Sequence, residues 1–186
     1  MDTDITPPKL LPTIETARLR IRPFTLDDVD VYHAAIHSDA DVMRYLPAGH
    51  PLPRIDTIRI LNYFIDHGEQ QGYSFEALTD KASGTLIGHV GLHYVVDAVE
   101  VGYALGKQHW GNGYATEAAL AMMRYGFTTH DFESIIALAF GANTASRRVM
   151  ERIGMTFEGY TERYYDTRLV KYRITKTHFE RLHTVN

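Results

Sequence analysis

The segment Gln108-His109-Trp110-Gly111-Asn112-Gly113-Tyr114-Ala115-Thr116 is the part of this chain best suited to chemistry. It lies between a predicted strand and a predicted helix. Glycines at 111 and 113 leave no Cβ where a backbone would approach a ligand closely. The first N–H groups of a helix lack intrahelical acceptors and carry the positive end of its dipole. Such a turn suits a phosphate or diphosphate. A tight turn uses the same residues, so the loop alone leaves both readings open. Two other phosphate motifs fail. Gly102 to Lys107 lacks P-loop spacing, and no Ser or Thr follows the lysine. A dinucleotide fingerprint needs glycine or alanine where Thr116 stands, and an acidic residue after the strand that ends at Phe140. A dinucleotide-binding oxidoreductase is therefore the poorer alternative.

His89 and His93 share a strand face, but no third ligand follows at a recognisable spacing, so no metal site is expected. They read as structural residues or as lining for an acceptor. The chain has no cysteine, which removes an acyl-cysteine intermediate and fits a reducing compartment. A net charge of −4 and a pI near 6.2 come without any Lys/Arg block, so no nucleic-acid surface is expected. No apolar run approaches the ~20 residues of a membrane span. Residues 1–13, polar with Pro7, Pro8 and Pro12, read as a flexible arm without secretory character, and the chain as cytoplasmic. The 186 residues suit one domain able to bury a sizeable core.

The elements that must carry the loop can be read from periodicity. Leu19 and Ile21 alternate with Arg18, Arg20 and Arg22, a strand with one wet face. Thr25 starts a helix expected to run to about Ser38, and Ile58, Leu61 and Ile65 mark another over Arg54 to Asp66. Ser74 to Leu78, Thr85 to Val95 and Ala98 to Leu105 read as consecutive strands. In the third, Val99, Val101, Tyr103 and Leu105 share one face, and Ala98, Glu100, Gly102 and Ala104 the other. After the glycine loop, Ala115, Ala118, Ala119, Met122, Met123 and Gly126 form a helical inner stripe. A short strand (Ser134 to Phe140), a helix (Asn143 to Ile153, stopped by Gly154) and two strands (near Thr156 to Glu162 and Val170 to Thr175) complete an α/β fold with a mixed sheet.

Four segments, in order, resemble the GNAT N-acetyltransferases, and within them the RimJ/RimL-type branch. Gln108 to Ala115 is similar to the Q/R-x-x-G-x-G/A diphosphate loop. Glu15-Thr16-Ala17-Arg18-Leu19-Arg20-Ile21-Arg22-Pro23-Phe24 resembles the opening strand, and Val99 to Leu105 the strand that pairs with pantetheine. Asn143-Thr144-Ala145-Ser146-Arg147-Arg148-Val149 through Gly154-Met155 resembles the segment near the thioester. The resemblance spans roughly residues 15 to 178. It implies a strongly bent mixed sheet of about seven strands flanked by about four helices, with two splayed central parallel strands, here Ala98–Leu105 and Ser134–Phe140. It implies one acetyltransferase domain over 14–186 and acetyl-CoA as co-substrate. Tyr103, Ala104, Leu105, Gln108, His109, Gly111, Asn112, Gly113, Tyr114, Ala115, Thr116, Asn143 and Ser146 would then contact the coenzyme.

The partner implied is an amine acceptor, a protein N-terminus or a small amine; a homodimer stays open. Without a cysteine, direct transfer in a ternary complex is the simplest scheme. A lysine-like amine of pKa ~10.4 costs roughly 4–5 kcal/mol to deprotonate at pH 7, an α-amine only about 1–1.5. Glu100 is the candidate base, acting through water. Ser146 is the candidate donor to the leaving thiolate, with Tyr164 or Tyr165 as tyrosine alternatives. Arg163-Tyr164-Tyr165-Asp166 departs from the branch, where an acidic residue often precedes a tyrosine. Trp110 is expected to anchor the loop in the core, His109 to orient its turn, and Arg147 and Arg148 to face solvent. Asp39 to Arg54 and the segment after Glu158 would frame the acceptor. A non-catalytic acyl-CoA sensor with the same fold is the competing class.

Overall fold

A computed structural model describes residues 11–183, so residues 1–10 of the expected arm lie outside the described residues. Leu11, at the end of that arm, is buried in the core. The strands are β1 (Ile14–Glu15), β2 (Leu19–Arg22), β3 (Phe75–Asp80), β4 (Leu86–Val95), β5 (Ala98–Leu105), β6 (Ser134–Ala139), β7 (Thr156–Thr161) and β8 (Leu169–Thr175). The α-helices are α1 (Val29–Tyr32), α2 (Ala40–Met43), α3 (Arg54–Gln71), α4 (Tyr114–Thr129), α5 (Thr144–Arg152) and α6 (Lys176–His183). All eight strands form one mixed sheet in the order β1-β2-β3-β4-β5-β6-β8-β7. The expectation of about seven strands and four helices missed two-residue β1, four-residue α2 and terminal α6. Each is too short, or too polar, for periodicity to reveal.

The alternation in β5 holds. Val99, Val101 and Leu105 enter the core beneath α4 and α5, with Val90, Leu92, Met122 and Met150. Ala104 faces the other core, beneath α1 to α3, with Tyr32, Ile36 and Leu61. Small residues let α4 lie close to the sheet: a Cβ on Gly126 would come within 2.8 Å of Leu92 Cδ1. Asn143 caps α5 by accepting the Ser146 N–H at 3.1 Å.

The helix expected from Thr25 to Ser38 is broken into three pieces. A 3₁₀ turn (Leu26–Asp28) precedes α1, and a π-helical turn (His33–His37) follows it. The wider turn brings both His33 Nδ1 and His37 Nδ1 to 2.9 Å from the buried Thr57 hydroxyl. Nearby, Tyr32 Oη lies 2.7 Å from His89 Nδ1. These contacts, rather than helical periodicity, set the shape of the segment.

Buried titratable groups give the fold a defined pH response. Burial lowers His37 to about 4 and His89 to about 3 from an ordinary 6.5. Below pH 6.5 the unfolded chain therefore binds more protons than the folded one, and stability falls with falling pH. Glu76 behaves oppositely: burial raises its carboxyl from 4.5 to about 8. Between those values the folded state holds a proton that the unfolded chain has lost, so stability falls with rising pH. Calorimetric Tm should peak near pH 6.5. His37→Asn should flatten the acid side, and Glu76→Gln the decline towards pH 8.

Candidate active site

Strands β5 and β6 are parallel neighbours that pair only at Val99↔Ile135 and Glu100↔Ile136. Both continue past that point, held on their outer sides by β4 and β8. From Val101 onwards the strands separate, leaving a cleft bordered by β5 backbone groups with no ladder partner on that side. Pairing of an extended ligand with such an edge needs no side chain.

The glycine loop stands beyond the C-terminal end of β5. A short 3₁₀ turn, Lys107–His109, reverses the chain, and α4 begins at Tyr114. Gly111 and Gly113 both have φ of +77°, a conformation other residues adopt only under strain. A Cβ on Gly111 would meet nothing within 4 Å, and one on Gly113 only the Arg18 guanidinium at 3.6 Å. Among the described residues, the N–H groups from Gly111 to Thr116 donate to no protein acceptor. The turn is thus an open cradle of amide donors at the positive end of a 16-residue helix.

Arg18 holds the cradle in place, a contact that sequence reasoning missed. Its guanidinium donates to the Asn112 carbonyl at 2.9 Å, pairs with Glu117 at 2.7 Å, and lies 4.6 Å from the centre of the Tyr114 ring. Glu117 also accepts from the Thr16 hydroxyl and the Arg18 amide. The loop's own side chains serve it as well. Asn112 Nδ2 donates back to the His109 and Trp110 carbonyls. Trp110 is not in the core as expected: its ring is half-exposed, and its indole N–H donates to the Leu105 carbonyl at 2.8 Å. A buried indole needs a partner, and the reversal after β5 supplies one at the surface. Gln108 lines an open pocket of about 460 Å³ with Ala34, Ala35 and Leu86.

Two polar clusters face the cleft from opposite sides of the sheet. On the α5 side, Tyr103 Oη lies 3.1 Å from Ser146 Oγ, so Asn143, Ser146 and Tyr103 come together. Burial raises the Tyr103 phenol well above its ordinary range. Arg147, expected in solvent, donates instead to the Tyr172 hydroxyl and the Gly141 carbonyl. On the α3 side lies Glu100, which is 7% exposed. It accepts the Tyr165 hydroxyl at 2.6 Å. Burial raises its carboxyl to about 7, while the bonds from Tyr165 and the Leu138 amide oppose the rise. Tyr165 has φ of +56°, and Asp166 beside it +46°. Such strain is kept only where the surroundings enforce it. Tyr164 points elsewhere, donating to Asp97 at 3.1 Å.

The structure therefore joins Glu100 to Tyr165 and Tyr103 to Ser146, and places the amides of 111–116 at the far end of the cleft. The arrangement can hold an extended ligand with an anionic end while a carboxyl of near-neutral pKa waits at the other.

Comparison with known proteins accords with this geometry. Residues 18–156 match the family model described as an acetyltransferase (GNAT) domain. An uncharacterised N-acetyltransferase of Bacillus licheniformis is 30% identical over 158 residues, covering 82% of this chain and 86% of the relative. A crystal structure of a GNAT-family acetyltransferase from Bacillus anthracis superposes with a TM-score of 0.77 at 30% identity, covering 89% of this chain and 99% of the other. RimL, a ribosomal L7/L12 α-N-protein acetyltransferase solved with coenzyme A, has the same fold. Its TM-score is 0.74 at 17% identity, over 89% of this chain and 97% of the other.

Proposed function

The chain belongs to the GNAT acetyltransferase family, and from that premise we propose that it moves an acetyl group from acetyl-CoA directly to a primary amine within one ternary complex. The acceptor is a protein N-terminus or a small amine, in the manner of the RimJ/RimL branch. The order of the four sequence segments supports that branch. So does RimL itself, which shares the fold and is named for α-amine acetylation of a ribosomal protein. The observation that carries the reading is the cleft: free amides at its diphosphate end, and two polar clusters on opposite faces where β5 and β6 part.

The residues present fit coenzyme A. Among the described residues, nothing but Arg18 approaches the Cβ positions of Gly111 and Gly113, so a diphosphate can lie against the N–H groups of 111–116. Arg18 adds a positive charge beside it. The β5 edge from Val101 to Leu105 offers backbone donors and acceptors to the pantetheine amides. The thioester, when bound, supplies an already activated acetyl group.

Each side of the cleft then has one task. Glu100, whose carboxyl burial raises to about 7, takes in its ionised form a proton from the incoming ammonium through water. Tyr165 fixes the carboxylate and stabilises its charged form. Ser146, with Tyr103 behind it, offers a hydroxyl donor to the departing thiolate, which needs little help because thiol pKa is ~8.5. An α-amine of pKa ~8 is the acceptor best matched to a single carboxyl base near 7. No described helix is long and apolar enough to cross a membrane; the reaction is proposed for the cytoplasm. The test is CoA release from acetyl-CoA with a panel of peptide N-termini and small amines. Turnover with at least one amine is expected. Tight acetyl-CoA binding without release to any amine would point to a sensor instead.

A further inference from the structure

Glu100 does not stand alone on its face of the sheet. His93 is its direct cross-strand partner on β4, so the two side chains emerge side by side. Phe75, from β3, lies next to them with its ring over β5, where a Cβ on Gly102 would come within 2.7 Å of it. The Phe75 and His93 rings stack with centroids 5.9 Å apart. From α3, Tyr63 and His67 close over this floor. Tyr63 Oη lies 2.8 Å from His93 Nε2, and the His67 ring centroid is 5.4 Å from that of His93. Tyr63 and Tyr165, both half-exposed, carry the cluster to the surface.

Two ring nitrogens in this cluster are left over. His67 Nε2 and His93 Nδ1 are buried without a hydrogen-bond partner, and no other buried side-chain nitrogen or oxygen among the described residues shares that state. Leaving such an atom unpaired costs about 1–3 kcal/mol. Burial lowers the pKa of both imidazoles and so favours their neutral form. A neutral imidazole presents one N–H and one lone pair. With His93 Nε2 committed to Tyr63, its Nδ1 must meet the complementary group of something else.

We propose that His67 and His93 form an acceptor subsite for a hydroxyl or carboxamide carried by the amine substrate, close to the nitrogen that Glu100 deprotonates. A hydroxyl or a primary carboxamide can both give and accept a hydrogen bond, so either can pair with an imidazole nitrogen whichever tautomer it presents. A plain alkylamine carries no such group and leaves both nitrogens unpaired. Sites built to hydrogen-bond a substrate group reject the analogue lacking it far more strongly than apolar pockets reject a missing methylene. The inference rests on the acetyl-transfer reading and assigns its acceptor class.

The test compares ethanolamine, glycinamide and propylamine as acceptors, with kcat/KM expressed per unprotonated amine. Wild type should prefer the first two over propylamine by about 100-fold or more. His67→Phe and His93→Phe each keep a ring in place. They should cut that preference at least about tenfold while leaving CoA affinity within about twofold. His67, further from the sheet, decides the matter should His93→Phe fail to fold. Equal use of the three amines by wild type, or an equal loss for all three in the variants, would overturn the subsite. No CoA release with any amine would overturn the acetyl-transfer reading itself, and the subsite with it.

Discussion

Gly113→Glu should abolish acetyl-CoA binding in a chain that still folds. The position has room: a Cβ there meets only the Arg18 guanidinium, at 3.6 Å. A glutamate side chain would therefore lie where the diphosphate is proposed to rest. Its carboxylate would repel the phosphates and compete with Glu117 for Arg18, which lies beside the loop. Backbone strain is a separate effect, since φ is +77° and a left-handed residue with a Cβ costs about 1–2 kcal/mol. Gly113→Ala isolates that cost and should lower Tm modestly while weakening CoA at most about tenfold. Gly113→Glu should weaken it beyond about 100-fold, measured by calorimetric titration. Unchanged affinity in the folded glutamate variant would remove the loop from the site.

Glu100→Gln should lower kcat/KM for an α-amine acceptor by about 100-fold or more, the range of a lost general base. The amide keeps the shape and can still meet the Tyr165 hydroxyl, so the effect reports charge rather than packing. The pH profile carries the sign. Only the ionised carboxyl accepts a proton, so wild-type kcat/KM should rise with pH through about 7 as Glu100 ionises. Tyr165 donates to the charged form and holds that pKa down. Tyr165→Phe should therefore move the rise to higher pH. The acceptor's own ionisation is common to every variant and does not move. A limb near 7 that persists in Glu100→Gln would assign the base elsewhere.

The fold was largely legible because its chemistry is local. Alternation separated Glu100 from the valines of β5, and the burial of Val99 and Val101 on one side and Ala104 on the other follows it. The small-residue stripe of α4 was equally visible. What remained hidden depends on contacts between distant segments. Arg18 and Glu117 meet across 99 residues, and in sequence Arg18 is just one of three arginines on a wet strand face. Tyr63 and His93 meet across 30 residues, and the α3 pattern exposed only Ile58, Leu61 and Ile65. Trp110 misled because a lone tryptophan beside glycines reads as a core anchor. Here its N–H finds a backbone carbonyl five residues back, at the surface. The π-helical turn at His33–His37 follows from the shared hold on Thr57, which no helical period encodes.

A crystal structure of the protein with acetyl-CoA tests the cradle at the start of α4 most directly. The diphosphate should accept hydrogen bonds from the backbone of 111–116, the pantetheine should run along β5 from Leu105 towards Val101, and the acetyl carbon should sit between Glu100 and Ser146. Coenzyme density away from that turn, with its amides facing only solvent, would contradict it.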